Sequence, residues 1–133
     1  MRKLFLPLLL LVFFACERAD EPVIDDTPKL SVIQAQILDL NCAISGCHVG
    51  ATPPRGLNLE DGNTFSNIVN VASDAQPAVL RVNPGNPDQS YLYLKIIGDA
   101  SITGSQMPLG RSPLSSEEME LIRDWITEGA LDN

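Results

Sequence analysis

The sequence of 133 residues has few basic, histidine and aromatic residues, and these shortages exclude several classes of protein. Nine Lys and Arg face 17 Asp and Glu, a net charge of −8 at pH 7. Because nucleic-acid binding needs a basic surface for the phosphates, we expect no nucleic-acid partner. The longest apolar run, Leu4 to Ala15, is shorter than the roughly 20 residues that a helix needs to cross a bilayer. A multi-spanning membrane protein is therefore excluded.

Residues 1–15 have the pattern of an export signal, with basic Arg2 and Lys3, an apolar stretch and the small Ala15. Cys16 follows directly, so the segment resembles a bacterial lipoprotein signal, which implies cleavage before Cys16 and its lipidation. The alternative is an ordinary signal peptide, with Cys16 left as a free thiol. In both cases we expect an exported domain, periplasmic or at the cell surface, where thiols are not kept reduced.

The remainder divides into a tether and one domain. Residues 16–29 are acidic, contain two prolines and show no periodicity, which indicates a tether. Residues 30–133 suffice for one domain with a single core. Three of the four phenylalanines lie in residues 1–15, so this domain has few aromatic side chains with which to build that core.

The apolar spacing predicts an all-α domain of about four short helices joined by long loops. Ile33, Ile37 and Leu40 share one face of the first helix. The long connections, rich in Pro, Gly, Asn and Ser, are typical of segments that surround a ligand. The predicted helix ends are Asn63 at the start of the second helix, Asn86 with Pro87 at the start of the third and Gly98 at its end, and Ser115 with Glu118 as a capping box and Gly129 for the fourth.

Cys42, Cys47 and His48 form the most distinctive motif, Cys42-Ala-Ile-Ser-Gly-Cys47-His48. Covalent haem attachment typically uses two Cys with two residues between them and a His after the second. Here four residues separate them, but both thiols can still reach one porphyrin if Ser45 and Gly46 loop outward. The alternative is a Cys42–Cys47 disulfide with His48 as an incidental neighbour.

A second iron ligand is suggested by Met107, since electron-transfer haems are commonly held by His and Met. Met107 lies in a polar, Gly-rich loop before Pro108, where it has no obvious core role. Met119 has a structural explanation, because Leu114 can pack on it at the start of the last helix. The alternative for Met107 is a side chain that fills a gap beneath the loop.

The domain resembles a class I c-type cytochrome domain of the single-haem, cell-envelope bacterial type. The resemblance lies in the order of the parts: a helix, Cys-Cys-His, loops, Met-Pro and a final helix. Residues 81–92 resemble its Pro-Gly-x-Pro-x-x-Ser segment, and residues 107–130 resemble its Met-Pro loop and last helix. The resemblance covers about residues 30–131. It implies a small cytochrome c-like fold around one haem c, bonded to Cys42 and Cys47, with His48 and Met107 as the axial ligands of the iron.

The resemblance also suggests further haem contacts. The carbonyl of Pro53 or Pro54 is expected to accept a hydrogen bond from the second ring nitrogen of His48. Leu57 is expected against the haem face, whereas Trp125 should pack the last helix on the first. The candidate partners of the haem propionates are Arg55, Arg81, Tyr91 and Tyr93.

The sequence thus predicts a membrane-tethered monohaem cytochrome that passes single electrons between cell-envelope proteins. With both axial positions filled, we expect no enzymatic reaction at the iron. The acidity of the chain suggests redox partners with basic patches. Two other functions stay open: a haem-free lipoprotein module for binding or assembly with a Cys42–Cys47 disulfide, and a copper-handling or thiol-redox protein that uses Cys42, Cys47, His48 and Met107.

Overall fold

The computed structural model describes residues 25–133, so the predicted signal peptide, Cys16 and most of the tether lie outside it. The described residues form helices and isolated bridges but no strand, in agreement with the all-α prediction. None of their helices is long and apolar enough to cross a membrane. In chain order the elements are α1 over residues 30–41 (α-helical Leu30–Ile33, π-helical Gln34–Leu38 and α-helical Asp39–Asn41), a 3₁₀ turn at Pro54–Gly56, α2 at Thr64–Ile68, a second 3₁₀ turn at Pro87–Gln89, α3 at Tyr91–Ile97 and α4 at Ser116–Thr127.

The π segment Gln34–Leu38 changes which residues of α1 face the core. A π turn holds more residues than an α turn, so the apolar face shifts along the sequence. Ile33, Ile37 and Leu38 are buried, whereas Leu40 is 61% exposed. The prediction that Leu40 shares the buried face is therefore wrong, and Leu38 takes its place.

The turn before α3 is closed by Ser90, which is fully buried. The Ser90 hydroxyl accepts a hydrogen bond from the Asn83 N–H (2.9 Å) and donates one to the Asn86 carbonyl (2.9 Å). Ser90 itself has an extended backbone (φ −107°, ψ 108°). The helix expected from Asn86 is consequently divided into the 3₁₀ turn Pro87–Gln89 and α3.

The predicted C-terminal end of α3 and both predicted ends of α4 are confirmed. Gly98 closes α3 in the left-handed conformation (φ 70°), which glycine adopts without a steric penalty. The Ser115 hydroxyl accepts from the Glu118 N–H (3.2 Å), and the Glu118 carboxylate accepts from the Ser115 N–H (2.7 Å). This capping box starts α4, and Gly129 follows its end.

Helices α1 and α4 supply the centre of the core. Trp125 of α4 is 2% exposed and belongs to the same apolar cluster as Ile33 and Ile37 of α1. Its indole N–H donates to the Leu131 carbonyl (2.9 Å), so the one polar group of the ring is satisfied. As predicted, Trp125 serves the helix packing and does not line the cavity described next.

Candidate functional site

A cavity of about 290 Å³ lies between the helical core and loops 49–62, 72–85 and 99–113. Each of the three loops contributes lining residues, which gives these long connections a common role. The wall is predominantly apolar, as in sites for small hydrophobic ligands and cofactors. Its apolar lining side chains include Leu38, Leu57, Leu59, Leu92, Ile96, Leu114 and Ile122, and its charged ones are Arg55, Asp74, Arg81 and Lys95.

The segment from Cys42 to His48 forms a closed loop at the end of α1. The Cys42 N–H donates to the Leu38 carbonyl (2.8 Å), and the His48 N–H donates back to the Cys42 carbonyl (3.0 Å). Ser45 and Gly46 are exposed, so the long spacer projects outward as the sequence predicts. The fold therefore holds both ends of the motif together despite the four intervening residues.

The two cysteines of the motif are free, half-buried thiols, and they differ in position. Cys42 lines the cavity, whereas Cys47 is not among its lining residues. Burial, followed by the charge of the neighbouring Cys47, raises the pKa of Cys42 to about 11. The Cys42 thiol is therefore protonated at neutral pH.

His48 lines the cavity and is oriented by one backbone bond. Its Nδ1 lies 3.2 Å from the Leu57 carbonyl oxygen, so the neutral ring donates through Nδ1 and keeps Nε2 free for a metal. Burial lowers the pKa of His48; the bond to Leu57 opposes this shift and the Arg81 charge reinforces it. The neutral imidazole, which is the form that binds metals, is thus favoured.

The predicted acceptor for the His48 ring was Pro53 or Pro54, and the structure places it at Leu57 instead. The carbonyls of Pro53 and Pro54 already accept the N–H groups of Gly56 (3.0 Å) and Leu57 (3.2 Å), which closes the tight turn. Pro54 is exposed and does not line the cavity. Leu57, which the sequence places against the haem face, lines the cavity.

Met107 reaches the same cavity from the loop between α3 and α4. Its N–H donates to the Lys95 carbonyl (2.9 Å), and the side-chain amide of the preceding Gln106 donates to the Ile96 carbonyl (2.7 Å). Both acceptors belong to the last turns of α3. This helix therefore holds both Gln106 and Met107, the first through its side chain and the second through its backbone.

Two side chains of α3 hold the start of the Met107 loop. The Tyr91 hydroxyl accepts a hydrogen bond from the Thr103 N–H (3.0 Å). The Lys95 ammonium donates to the carbonyls of Thr103 (3.1 Å) and Ser105. Lys95 carries no signal in the sequence, because a lysine in a helix is ordinarily solvated and no local pattern marks one that binds a distant loop.

The arginines expected to contact haem propionates both line the cavity, and both already have partners. Arg55 is exposed and pairs with Asp74 (3.1 Å). Arg81 donates to the carbonyls of Arg55 and Asn67 (both 2.8 Å), which ties the Pro54–Gly56 turn to the end of α2.

The two tyrosines of α3 separate. Tyr91 lines the cavity, whereas Tyr93 is buried in the apolar cluster on another side of the helix. Two positions along an α-helix correspond to just over half a turn, so both side chains cannot face one cavity. The expectation that Tyr93 contacts the propionates is therefore wrong.

Comparison with family models, curated proteins and solved structures found no match for this chain. Within residues 25–133, no group of three or more His, Cys, Asp or Glu side chains is placed to hold a metal ion. A haem iron does not need such a group, because the porphyrin supplies four nitrogen ligands. The donor set of His48 and Met107, with Cys42 at the wall of an apolar cavity, is chemically compatible with a haem, whereas Cys47 lies outside the lining.

Proposed function

We propose that this protein is a monohaem c-type cytochrome with a cytochrome c-like fold, which carries single electrons between proteins of the cell envelope. Cys42 and Cys47 would hold the haem covalently, and His48 and Met107 would bind its iron. The bound haem supplies the one-electron change between ferrous and ferric iron. The chain itself catalyses no reaction on a substrate.

The observation that carries this proposal is the shared cavity of His48 and Met107. The two residues come from loops on opposite sides of α2 and α3 in the sequence, yet both line one apolar cavity together with Cys42. A chance arrangement of core side chains does not require the only histidine of the chain and a loop methionine to line the same cavity. This arrangement supports the ligand pair that the sequence predicts.

The other residues of the site have roles that follow from their bonds. The Leu57 carbonyl fixes the His48 ring and increases the basicity of the ligand. Helix α3 fixes Met107 through the Lys95 carbonyl and the preceding Gln106 through the Ile96 carbonyl. The apolar wall excludes water, and Arg55, Arg81 and Lys95 supply positive charge for the carboxylates of a haem.

Export and membrane attachment belong to the same proposal. Cleavage before Cys16 and its lipidation would tether the domain to a membrane, with the acidic residues up to 29 as a spacer. Electron transfer to a redox partner with basic patches agrees with the acidity of the chain.

The axial ligand is tested by comparing Met107→Ala with Met119→Ala, both produced in a host that attaches haem to proteins. Met107→Ala is expected to abolish the weak thioether-to-iron absorption of the ferric protein and to lower its reduction potential. Met119 is partly buried against the core, so its substitution should cost less than the roughly 2–5 kcal/mol lost at a fully buried methionine. The absorption should stay intact.

The opposite pattern, in which Met119→Ala loses the absorption and Met107→Ala retains it, would overturn the ligand assignment. Wild-type protein without a Soret band would overturn the cytochrome proposal itself. It would favour the haem-free module with a Cys42–Cys47 disulfide.

A further inference from the structure

Gln34 has a buried side chain that joins three separate parts of the chain. It is 5% exposed. Its Nε2 donates to the Asp39 carboxylate (2.6 Å) and to the Leu59 carbonyl (2.9 Å), and its Oε1 accepts from the Thr64 hydroxyl (2.7 Å). Both amide hydrogens and the amide oxygen are thus used. A buried amide that is fully bonded fixes the parts that it connects.

The π segment at the start of which Gln34 lies explains how this side chain is oriented. In a π turn, residues i and i+5 come next to each other, as i and i+4 do in an α turn. Gln34 and Asp39 are five positions apart, and their side chains bond directly. The Asp39 carboxylate therefore orients the amide towards Leu59.

The bond to Leu59 leads directly to His48. The Leu59 N–H donates to the His48 carbonyl (2.9 Å), and two residues earlier the Leu57 carbonyl accepts from the His48 ring (3.2 Å). The short segment 57–59 therefore holds both the backbone and the ring of His48. Gln34 donates to the carbonyl of Leu59, and the N–H of the same Leu59 donates to the His48 carbonyl.

We infer that Gln34 is a positioning residue for His48. It fixes segment 57–59 to α1, the same helix that delivers Cys42, and so sets the His48 ring relative to the cavity. The consequence for haem ligation rests on the proposed function, whereas the consequence for segment 57–59 does not.

The test compares Gln34→Met with wild type by amide hydrogen exchange measured by NMR, in the ferrous form if the protein carries haem. Methionine keeps the length and volume of the side chain but removes all three bonds. We expect the Leu59 amide to exchange about tenfold faster, because its segment opens locally, while the core amides of α4 are unchanged. Gln76→Met is the matched control, since Gln76 also donates to a backbone carbonyl, that of Ser101 (2.7 Å), away from His48.

A second variant covers the case in which Gln34→Met does not fold. Thr64→Val removes the hydroxyl that orients the Gln34 amide but leaves the Gln34–Leu59 bond possible. We expect Leu59 exchange to be about threefold faster, since one neutral hydrogen bond contributes modestly. In the haem-loaded protein, Gln34→Met should also raise the reduction potential, because a weaker His48–Leu57 bond makes His48 a poorer electron donor.

Two outcomes would overturn the inference. One is unchanged exchange at Leu59 in both variants, and the other is faster exchange of all amides together, which would make Gln34 a residue of general stability only. A wild-type protein without haem would contradict the proposed function, yet Leu59 exchange would still decide the role of Gln34. Altered exchange with an unchanged potential in the haem-loaded protein would overturn the link to ligation.

Discussion

At the scale of single residues, the candidate ligands are held by backbone carbonyls rather than by other side chains. His48 bonds the Leu57 carbonyl through its ring, and Met107 bonds the Lys95 carbonyl through its N–H. A backbone acceptor is not removed by substituting its own side chain, but it moves if the segment that carries it moves. Cys42 differs from both, because its chemistry is set mainly by burial.

The burial of Cys42 predicts how the alkylation rate of its thiol depends on pH. Since burial raises its pKa to about 11, the thiol of the folded, haem-free chain stays protonated at neutral pH. Only the thiolate is alkylated by iodoacetamide. The alkylation rate of Cys42, followed by peptide mass mapping, should therefore keep rising with pH to about 11.

The unfolded chain in urea is the control for this experiment. There the rate should level off above the ordinary cysteine pKa of about 8.5. A folded chain whose Cys42 rate levels off at the same pH as in urea would contradict the assigned burial effect.

At the scale of elements, α3 is the support of the Met107 loop. Tyr91 and Lys95 hold the start of the loop, and the Lys95 and Ile96 carbonyls hold its middle. The helix end is part of this support, because a Cβ added at Gly98 would lie 2.9 Å from the Cδ and Oε1 atoms of Gln106. The residue that closes α3 thus borders the residue that precedes Met107.

This contact predicts a difference between Gly98→Ala and Gly62→Ala. Both glycines have positive φ (+70° and +77°), so both variants pay about 1–2 kcal/mol for a left-handed alanine. Nothing lies within 4 Å of a Cβ at Gly62, whereas the Gly98 variant must also displace Gln106. We expect Gly98→Ala to lose more stability in urea unfolding and to weaken the thioether-to-iron absorption. Equal losses with an unchanged absorption would show that the Gly98–Gln106 contact does not support Met107.

The elements also show what a sequence can predict here. The end of α3 and the start of α4 lie where the sequence predicts them. Gly98 closes α3, and Ser115 and Glu118 cap the start of α4, through bonds and backbone angles next to these residues. Leu40 was misplaced because a π segment has no local signature and shifts every later residue of the face. Helix α2 begins directly after Asn63, as predicted, although the Asn63 side chain makes no capping bond. The helix expected after Asn86 is interrupted at Ser90, whose backbone is extended.

The site was predictable where its residues are rare and less so where they are common. His48 stood out through the motif with Cys42 and Cys47, and Met107 stood out as the methionine without a core role; both line the cavity. The bonds of Gln34 and Lys95 depend on segments far away in the sequence. The Leu57 carbonyl could not be chosen over Pro53 or Pro54 without knowing that the turn uses those carbonyls itself.

At the scale of the whole molecule, a cavity lies between the helical core and the long loops. The described part of the chain has one Trp, two Tyr and one Phe, and its long loops surround about 290 Å³ that no side chain fills. A haem bound there would bury the apolar wall from water. In the proposed cytochrome, the haem would supply apolar surface that the few aromatic residues do not provide.

If haem covers the apolar cavity wall, the haem-free chain is expected to be much less stable than the haem-loaded one. Both forms can be compared by thermal unfolding, with the haem-free form made in a host without attachment machinery. The haem-free form should melt at a clearly lower temperature and with less cooperativity, because its cavity wall stays hydrated. A haem-free form that melts cooperatively at the temperature of the loaded form would show that the core needs no cofactor.

The mass of the denatured protein tests the central claim most directly. The protein is purified from a host that attaches haem, unfolded, and measured whole and as peptides. We predict a gain of one haem that survives unfolding and maps to the peptide with Cys42 and Cys47. No gain, together with the loss of two hydrogens from that peptide, would show a disulfide and would contradict the cytochrome.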